Sequence, residues 1–162
     1  MHLRTVVLAS LTLTLGFPAV AATPAPGRGA TFKTGGVTIW YEVRGSGPGT
    51  PLVVANGGPG FDHSYLVCGD VWDRLAKGRK VVFYDQRGNG RSSTLKDGQA
   101  CGLAEQIDDL DALRTHLGFS KIDLLGHSWG GYLVMAYAAR HPDRIAHLVI
   151  VDSAAPKIQD TV

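Results

Sequence analysis

Ile122-Asp123-Leu124-Leu125-Gly126-His127-Ser128-Trp129-Gly130-Gly131 is the stretch that decides the fold. Ile122–Leu125 reads as a short, buried strand, and Trp129–Arg140 as a helix stopped by His141-Pro142. Between them lies Gly-x-Ser-x-Gly, at a junction where a strand turns sharply into a helix. A serine at such a turn has a strained backbone, so its neighbours two residues away must be nearly free of side chain. Gly126 and Gly130 meet that need, with His127 and Gly131 completing the elbow. The turn lifts the Ser128 oxygen above the strand ends and points a helix N-terminus at it, where backbone N–H groups can stabilise negative charge.

Outward from this point, the same strand signature recurs. Pro51–Ala55, Lys80–Asp85 and His147–Val151 are short apolar runs, the mark of strands buried on both faces. Thr31–Lys33 and Val37–Val43 flank Gly35-Gly36, a hairpin signal. Asp62 or Ser64 is placed to cap a helix reaching about Lys77. Leu103, Ile107, Leu110, Leu113 and Leu117 form one apolar stripe at spacings of three and four, ended by Gly118. Strands alternating with helices predict an α/β fold, a mostly parallel sheet with flanking helices, here carried through about six strands.

Two further motifs follow buried strands. In Asn56-Gly57-Gly58-Pro59-Gly60, glycines let the backbone approach a substrate. An oxyanion hole needs two convergent N–H donors, one after the nucleophile and one from this loop. Trp129 is the first candidate and Gly58 the second, with Gly57 as the alternative. Asp85-Gln86-Arg87-Gly88-Asn89-Gly90-Arg91-Ser92 is read as structural support, with Asp85 and Arg87 expected to pair beneath the site. Neither dinucleotide nor P-loop phosphate motifs occur.

These three motifs, in this order and spacing, resemble the proline iminopeptidase (prolyl aminopeptidase) family of α/β-hydrolases, over about Thr31 to Val151. The resemblance implies an α/β-hydrolase fold, Ser128 as nucleophile, and Gly58 with Trp129 as oxyanion hole. It also implies removal of N-terminal proline or other residues from short peptides, without metal or cofactor. Asn56 stands where many members have His, and Phe61 where another small residue is common.

A serine nucleophile needs a base and the base a carboxylate, both expected after the serine in this fold. His141 lies in the helix stop, and His147 enters a strand at its far end, so neither is expected to reach Ser128. His127 is expected to pack against the sheet, and Asp143 to belong to a turn. Asp152, at the catalytic end of a strand, is a candidate acid. The expectation is therefore a partial hydrolase domain over residues 31–162, without cap domain or final strands, and inactive by itself. Alternatives are an esterase or other acyl hydrolase of the same fold, or a non-catalytic remnant or binding domain. Relatives of this fold with an aspartate nucleophile are disfavoured by Ser128.

The 162 residues, 44% hydrophobic and 19% charged, suit one globular domain. A net charge of +2 is too small for nucleic-acid binding to be expected. Residues 1–22 have a basic start, an apolar run and a small-residue cleavage site, the pattern of a secretory signal peptide. Residues 23–30 are expected to be a flexible mature N-terminus. Export to the periplasm or the extracellular space follows, with no stable membrane insertion after cleavage. In such a compartment Cys68 and Cys101 are a candidate disulfide.

Overall fold

The computed structural model of the chain describes residues 29–153. The expected signal segment and most of the expected flexible N-terminus therefore lie outside the described residues. Gly29 and Ala30, read as the end of that flexible stretch, belong instead to the first strand. They pair with Glu42 and Tyr41 and so gain ladder hydrogen bonds.

The described residues build six strands and three α-helices: β1 Gly29–Thr34, β2 Val37–Arg44, β3 Gly49–Ala55, α1 Val71–Ala76, β4 Arg79–Tyr84, α2 Leu103–His116, β5 Ile122–His127, α3 Trp129–Arg140 and β6 Ile145–Val151. They form one sheet in the order β1-β2-β4-β3-β5-β6. β1, β2 and β4 pair antiparallel, while β4, β3, β5 and β6 run parallel. Gly35 and Gly36 make the β1–β2 turn, both at positive φ (49° and 77°), the conformation of a two-residue hairpin that glycine adopts without strain.

Side-chain alternation in the central strands divides the core into two layers. Leu52 and Val54 of β3 and Val81 and Phe83 of β4 pack on Trp72 of α1. Val53, Ala55, Val82 and Tyr84 point the other way, toward Ile107, Leu110 and Leu113 of α2 and Leu133, Val134 and Tyr137 of α3. Hence α1 covers one face and α2 with α3 the other, the arrangement that right-handed parallel connections produce.

The expected helix from Asp62 to Lys77 is broken in two. Asp62 does cap a turn, accepting from the Ser64 N–H at 2.8 Å, but that turn is a 3₁₀ segment, His63–Leu66. Gly69 then takes φ 64°, which no α-helix accommodates, and α1 starts afresh at Val71.

The layers also explain why the two cysteines do not join. Cys68 leads into α1 on one face and Cys101 into α2 on the other, and both are free and exposed.

Candidate active site

β3, β4 and β5 are parallel neighbours, so the loops leaving their C-terminal ends meet at one edge. The three motifs sit on these loops. At the end of β5, Ser128 holds φ 54° and ψ −118° immediately before α3. For a non-glycine residue this region costs on the order of 1–3 kcal/mol, and it persists only where the surroundings enforce it. The enforcing contacts are visible. A Cβ on Gly126 would drive into the Gly130 carbonyl oxygen, and one on Gly130 into the Ala55 carbonyl oxygen. The two glycines thus let α3 start directly against the ends of β3 and β5. The Ser128 N–H donates to the Val151 carbonyl at 3.0 Å, tying the elbow to β6.

Facing Ser128 is a cavity of about 490 Å³, whose walls include Gly57, Gly58, Phe61, Asp62, Tyr65 and His127. Phe61 is 64% exposed at its rim and meets the Tyr65 ring edge-on, with centroids 6.2 Å apart. Hydrogen bonds from the Ser64 hydroxyl and N–H hold the Asp62 carboxyl below the usual carboxylate range, so this wall carries a negative charge.

The loop at residues 56–60 is braced from several sides. Asn56, fully buried, donates from Nδ2 to the Gly57 carbonyl at 2.9 Å and the Phe61 carbonyl at 2.7 Å. Gln86 Nε2 donates to the Asn56 carbonyl at 2.8 Å. The Gly57 N–H donates to the Tyr65 hydroxyl at 2.6 Å. The Gly58 and Trp129 N–H groups, by contrast, have no acceptor among the described residues. The Trp129 side chain turns away from the cavity, its indole N–H donating to Gln106 at 3.0 Å.

Asp85 and Arg87 do not pair with each other. Asp85 continues the alternation of Val81 and Phe83 toward the α1 face, where it meets His63 Nδ1 at 2.7 Å. Burial alone would raise the Asp85 carboxyl. Hydrogen bonds from the His63 ring and from the Arg91 and His63 N–H groups outweigh it and hold the carboxyl below its ordinary value. After Gln86 the chain turns to the opposite face. There Arg87 binds both oxygens of Asp109 in α2, at 2.7 and 2.8 Å, and the Ala100 carbonyl at 2.8 Å. The Asp109 carboxylate holds Arg87 above its already high ordinary value. Each residue supports the loops, but through separate partners on separate faces.

His127 is not packed into the sheet. It is half-buried on the cavity wall, with Nδ1 2.7 Å from the Tyr65 hydroxyl. His147 binds Asp123 through Nδ1 at 2.8 Å near the start of β5, the end remote from Ser128. His141 ends α3, its N–H donating to the Tyr137 carbonyl, and Asp143 lies in the short turn after it. Asp152 follows β6 at φ 43°, exposed, and its carboxylate makes no hydrogen bond or ion pair among the described residues. Ser153 donates its hydroxyl to the Ser128 carbonyl at 3.3 Å. No histidine of the described residues hydrogen-bonds the Ser128 hydroxyl, and none of their His, Cys, Asp and Glu side chains cluster as metal ligands.

Sequence reading missed Tyr65, His63 and Gln86 as parts of this edge. Asn56 stands out in the sequence as a departure from a family pattern, not as a brace. Tyr65 and His63 carry no signal of their own, because their ring and carboxylate partners His127 and Asp85 lie 62 and 22 residues away.

Comparison with known proteins agrees with this geometry. The family described as alpha/beta hydrolase fold matches residues 50–162. The proline iminopeptidase of Lactiplantibacillus plantarum is 40% identical over 123 residues, 73% of this chain and 42% of that protein. Among solved structures, VinJ superposes with TM-score 0.73 and 35% identity, over 81% of this chain and 45% of its own. The proline iminopeptidase of Mycobacterium smegmatis gives TM-score 0.69 and 33% identity, over 79% and 44%. This chain therefore spans somewhat under half the length of the relatives it matches. With its sheet order, strand–turn–helix elbow and family match in agreement, the chain belongs to the α/β-hydrolase fold family.

Proposed function

We propose that this chain carries the nucleophile and oxyanion hole of a secreted serine peptidase of the proline iminopeptidase type. Its substrates would be short peptides, from which N-terminal proline or another residue is released. The observation that carries this reading is Ser128 itself: a non-glycine residue held at φ 54° between two obligatory glycines, at a helix start, facing a cavity.

In the proposed reaction, Ser128 Oγ attacks the carbonyl carbon of the first peptide bond and gives its proton to a base. Gly58 and Trp129 N–H groups receive the developing oxyanion. Gly57 is the poorer donor, since its N–H is already committed to Tyr65. The peptide's nitrogen leaves with the proton, and water then releases the acyl group from Ser128. The base is a histidine outside the described residues, and its carboxylate is either Asp152 or another residue outside them. A wall of two aromatic rings and one carboxylate suits a small substrate with an apolar side chain and a positive N-terminus.

The test is a fluorophosphonate probe on the product of the complete reading frame. Labelling of Ser128 is expected, with complete loss in Ser128→Ala. A labelled Ala variant would refute the assignment. The 162-residue chain alone is expected to turn over a prolyl chromogenic substrate at least about a thousandfold more slowly than the complete protein, since loss of the base alone has that effect.

A further inference from the structure

One hydroxyl touches both loops that face the cavity. Tyr65 Oη accepts the Gly57 N–H at 2.6 Å and lies 2.7 Å from His127 Nδ1. A phenol that accepts from Gly57 has a single proton left to donate, and His127 Nδ1 is placed to take it. Gly57 is the residue before Gly58. His127 comes two before Trp129, with Ser128 between. The hydroxyl therefore joins the flanks of the two N–H groups without an acceptor. The contact is close throughout: a Cβ on Gly57 would lie 2.9 Å from Tyr65 Oη, 3.0 Å from His127 Nδ1 and 3.0 Å from the Ser128 Cβ.

We infer that Tyr65 is a positioning residue that sets the distance between the oxyanion loop and the nucleophile elbow. This inference rests on the reading of Ser128 as nucleophile. The two loops leave different strands, β3 and β5, and the sheet ladder between those strands ends at Ala55 and Gly126. Beyond that pair the main chains have no ladder bond to hold them in register. Asn56 and Gln86 brace the oxyanion loop against itself and against the β4 loop, but neither side chain hydrogen-bonds the elbow. Among the described residues, Tyr65 is the side chain that hydrogen-bonds both loops at the cavity wall. It also has a selective effect: by occupying the Gly57 N–H, it leaves Gly58 as the donor facing the substrate.

An oxyanion hole works only when both donors already point at the place where charge will develop. A loop displaced by about 1 Å is enough to cost about a hundredfold in rate. Substrate binding depends on the cavity walls and is much less sensitive. Removing the hydroxyl while keeping the ring should thus lower kcat and leave KM nearly unchanged.

The experiment compares Tyr65→Phe, His127→Phe and the double variant in the complete protein, with Ser128→Ala alongside. Tyr65→Phe is expected to lose roughly 10- to 100-fold in kcat, with KM within about twofold. Affinity for a prolyl boronate, which forms a tetrahedral adduct, should fall by a similar factor. His127→Phe should give a comparable loss, and the double variant no further loss, because each change breaks the same bridge. The melting temperature of Tyr65→Phe should stay close to that of the parent, since Tyr65 is 42% exposed. Full kcat in Tyr65→Phe, losses that multiply in the double variant, or a decline explained wholly by lost folded protein would each overturn the inference. If Ser128→Ala is inactive while Tyr65→Phe is fully active, only the role of Tyr65 fails. An active Ser128→Ala removes both readings.

Discussion

β5 and β6 lie side by side in parallel register, and Leu124 faces Leu148 across the pair. Both strands carry an apolar stretch, Leu124-Leu125 after Ile122 in β5 and Leu148-Val149-Ile150-Val151 in β6. Leu124 is 0% exposed, whereas Leu148 is 37% exposed and the next residue, Val149, reaches 46%. β5 has a strand on each side and α3 packed over it. Among the described residues β6 has one neighbouring strand, β5. The lesson is that an apolar run reports a strand, while burial depends on what stands on its two faces and its far side.

The sharpest way to break this contrast is to truncate the facing pair. Leu124→Ala should cost roughly 2–5 kcal/mol, the range for a buried leucine that leaves a cavity. In the 162-residue chain, Leu148→Ala should cost less than about 1 kcal/mol, because little packing is lost there. Urea melts of the two variants measure this directly, and equal losses would mean that β6 is as well packed as β5.

A smaller effect separates the two strands at their polar ends. Asp123 of β5 is buried and joins Arg79 of β4 to His147 of β6. Asp123→Ala leaves the half-buried Arg79 without its partner and should cost about 1–3 kcal/mol. His147, with a side chain 78% exposed, should lose no more than about 0.5 kcal/mol on conversion to alanine. Denaturation midpoints at constant slope would rank the two, and a larger loss at His147 would reverse the comparison.

A further, pH-dependent effect lies in the layer over β5. Asp111 of α2 accepts from Tyr137 of α3 and from Arg114, and pairs with Arg144 just ahead of β6. Burial would raise this carboxyl, but the hydrogen bonds from Arg114, Arg144 and Tyr137 prevail and lower it to about 2. The unfolded chain holds the proton more tightly, so the stabilisation is complete well above the ordinary carboxylate value. It fades as pH falls from about 4 toward 2. With solvent screening the gain is about 1 kcal/mol. Asp111→Asn should lower stability at neutral pH by that amount and flatten the acid limb of a pH–stability curve. An unchanged acid limb would show that this tie contributes nothing.

By itself, the sequence determined the α/β class, six strands, the hairpin at Gly35-Gly36 and the bounds of α3. These depend on periodicities and turn residues within a few positions of one another, and such signals survive without knowledge of the fold. It also placed Ser128 between Gly126 and Gly130 at a strand–helix junction, because that motif is local. What only the tertiary structure decided is partnership. Arg87 binds Asp109 rather than Asp85, because the chain changes face at Gln86. Cys68 and Cys101 stay apart because α1 and α2 lie on opposite sides of the sheet. Tyr65 meets His127 across 62 residues of chain because parallel strands bring the ends of β3 and β5 to one edge. The physical reason is the same in each case. Side-chain direction alternates along a strand and reverses with a single turn, so which charged or polar groups meet is set by the packing of whole elements, not by their order in the chain.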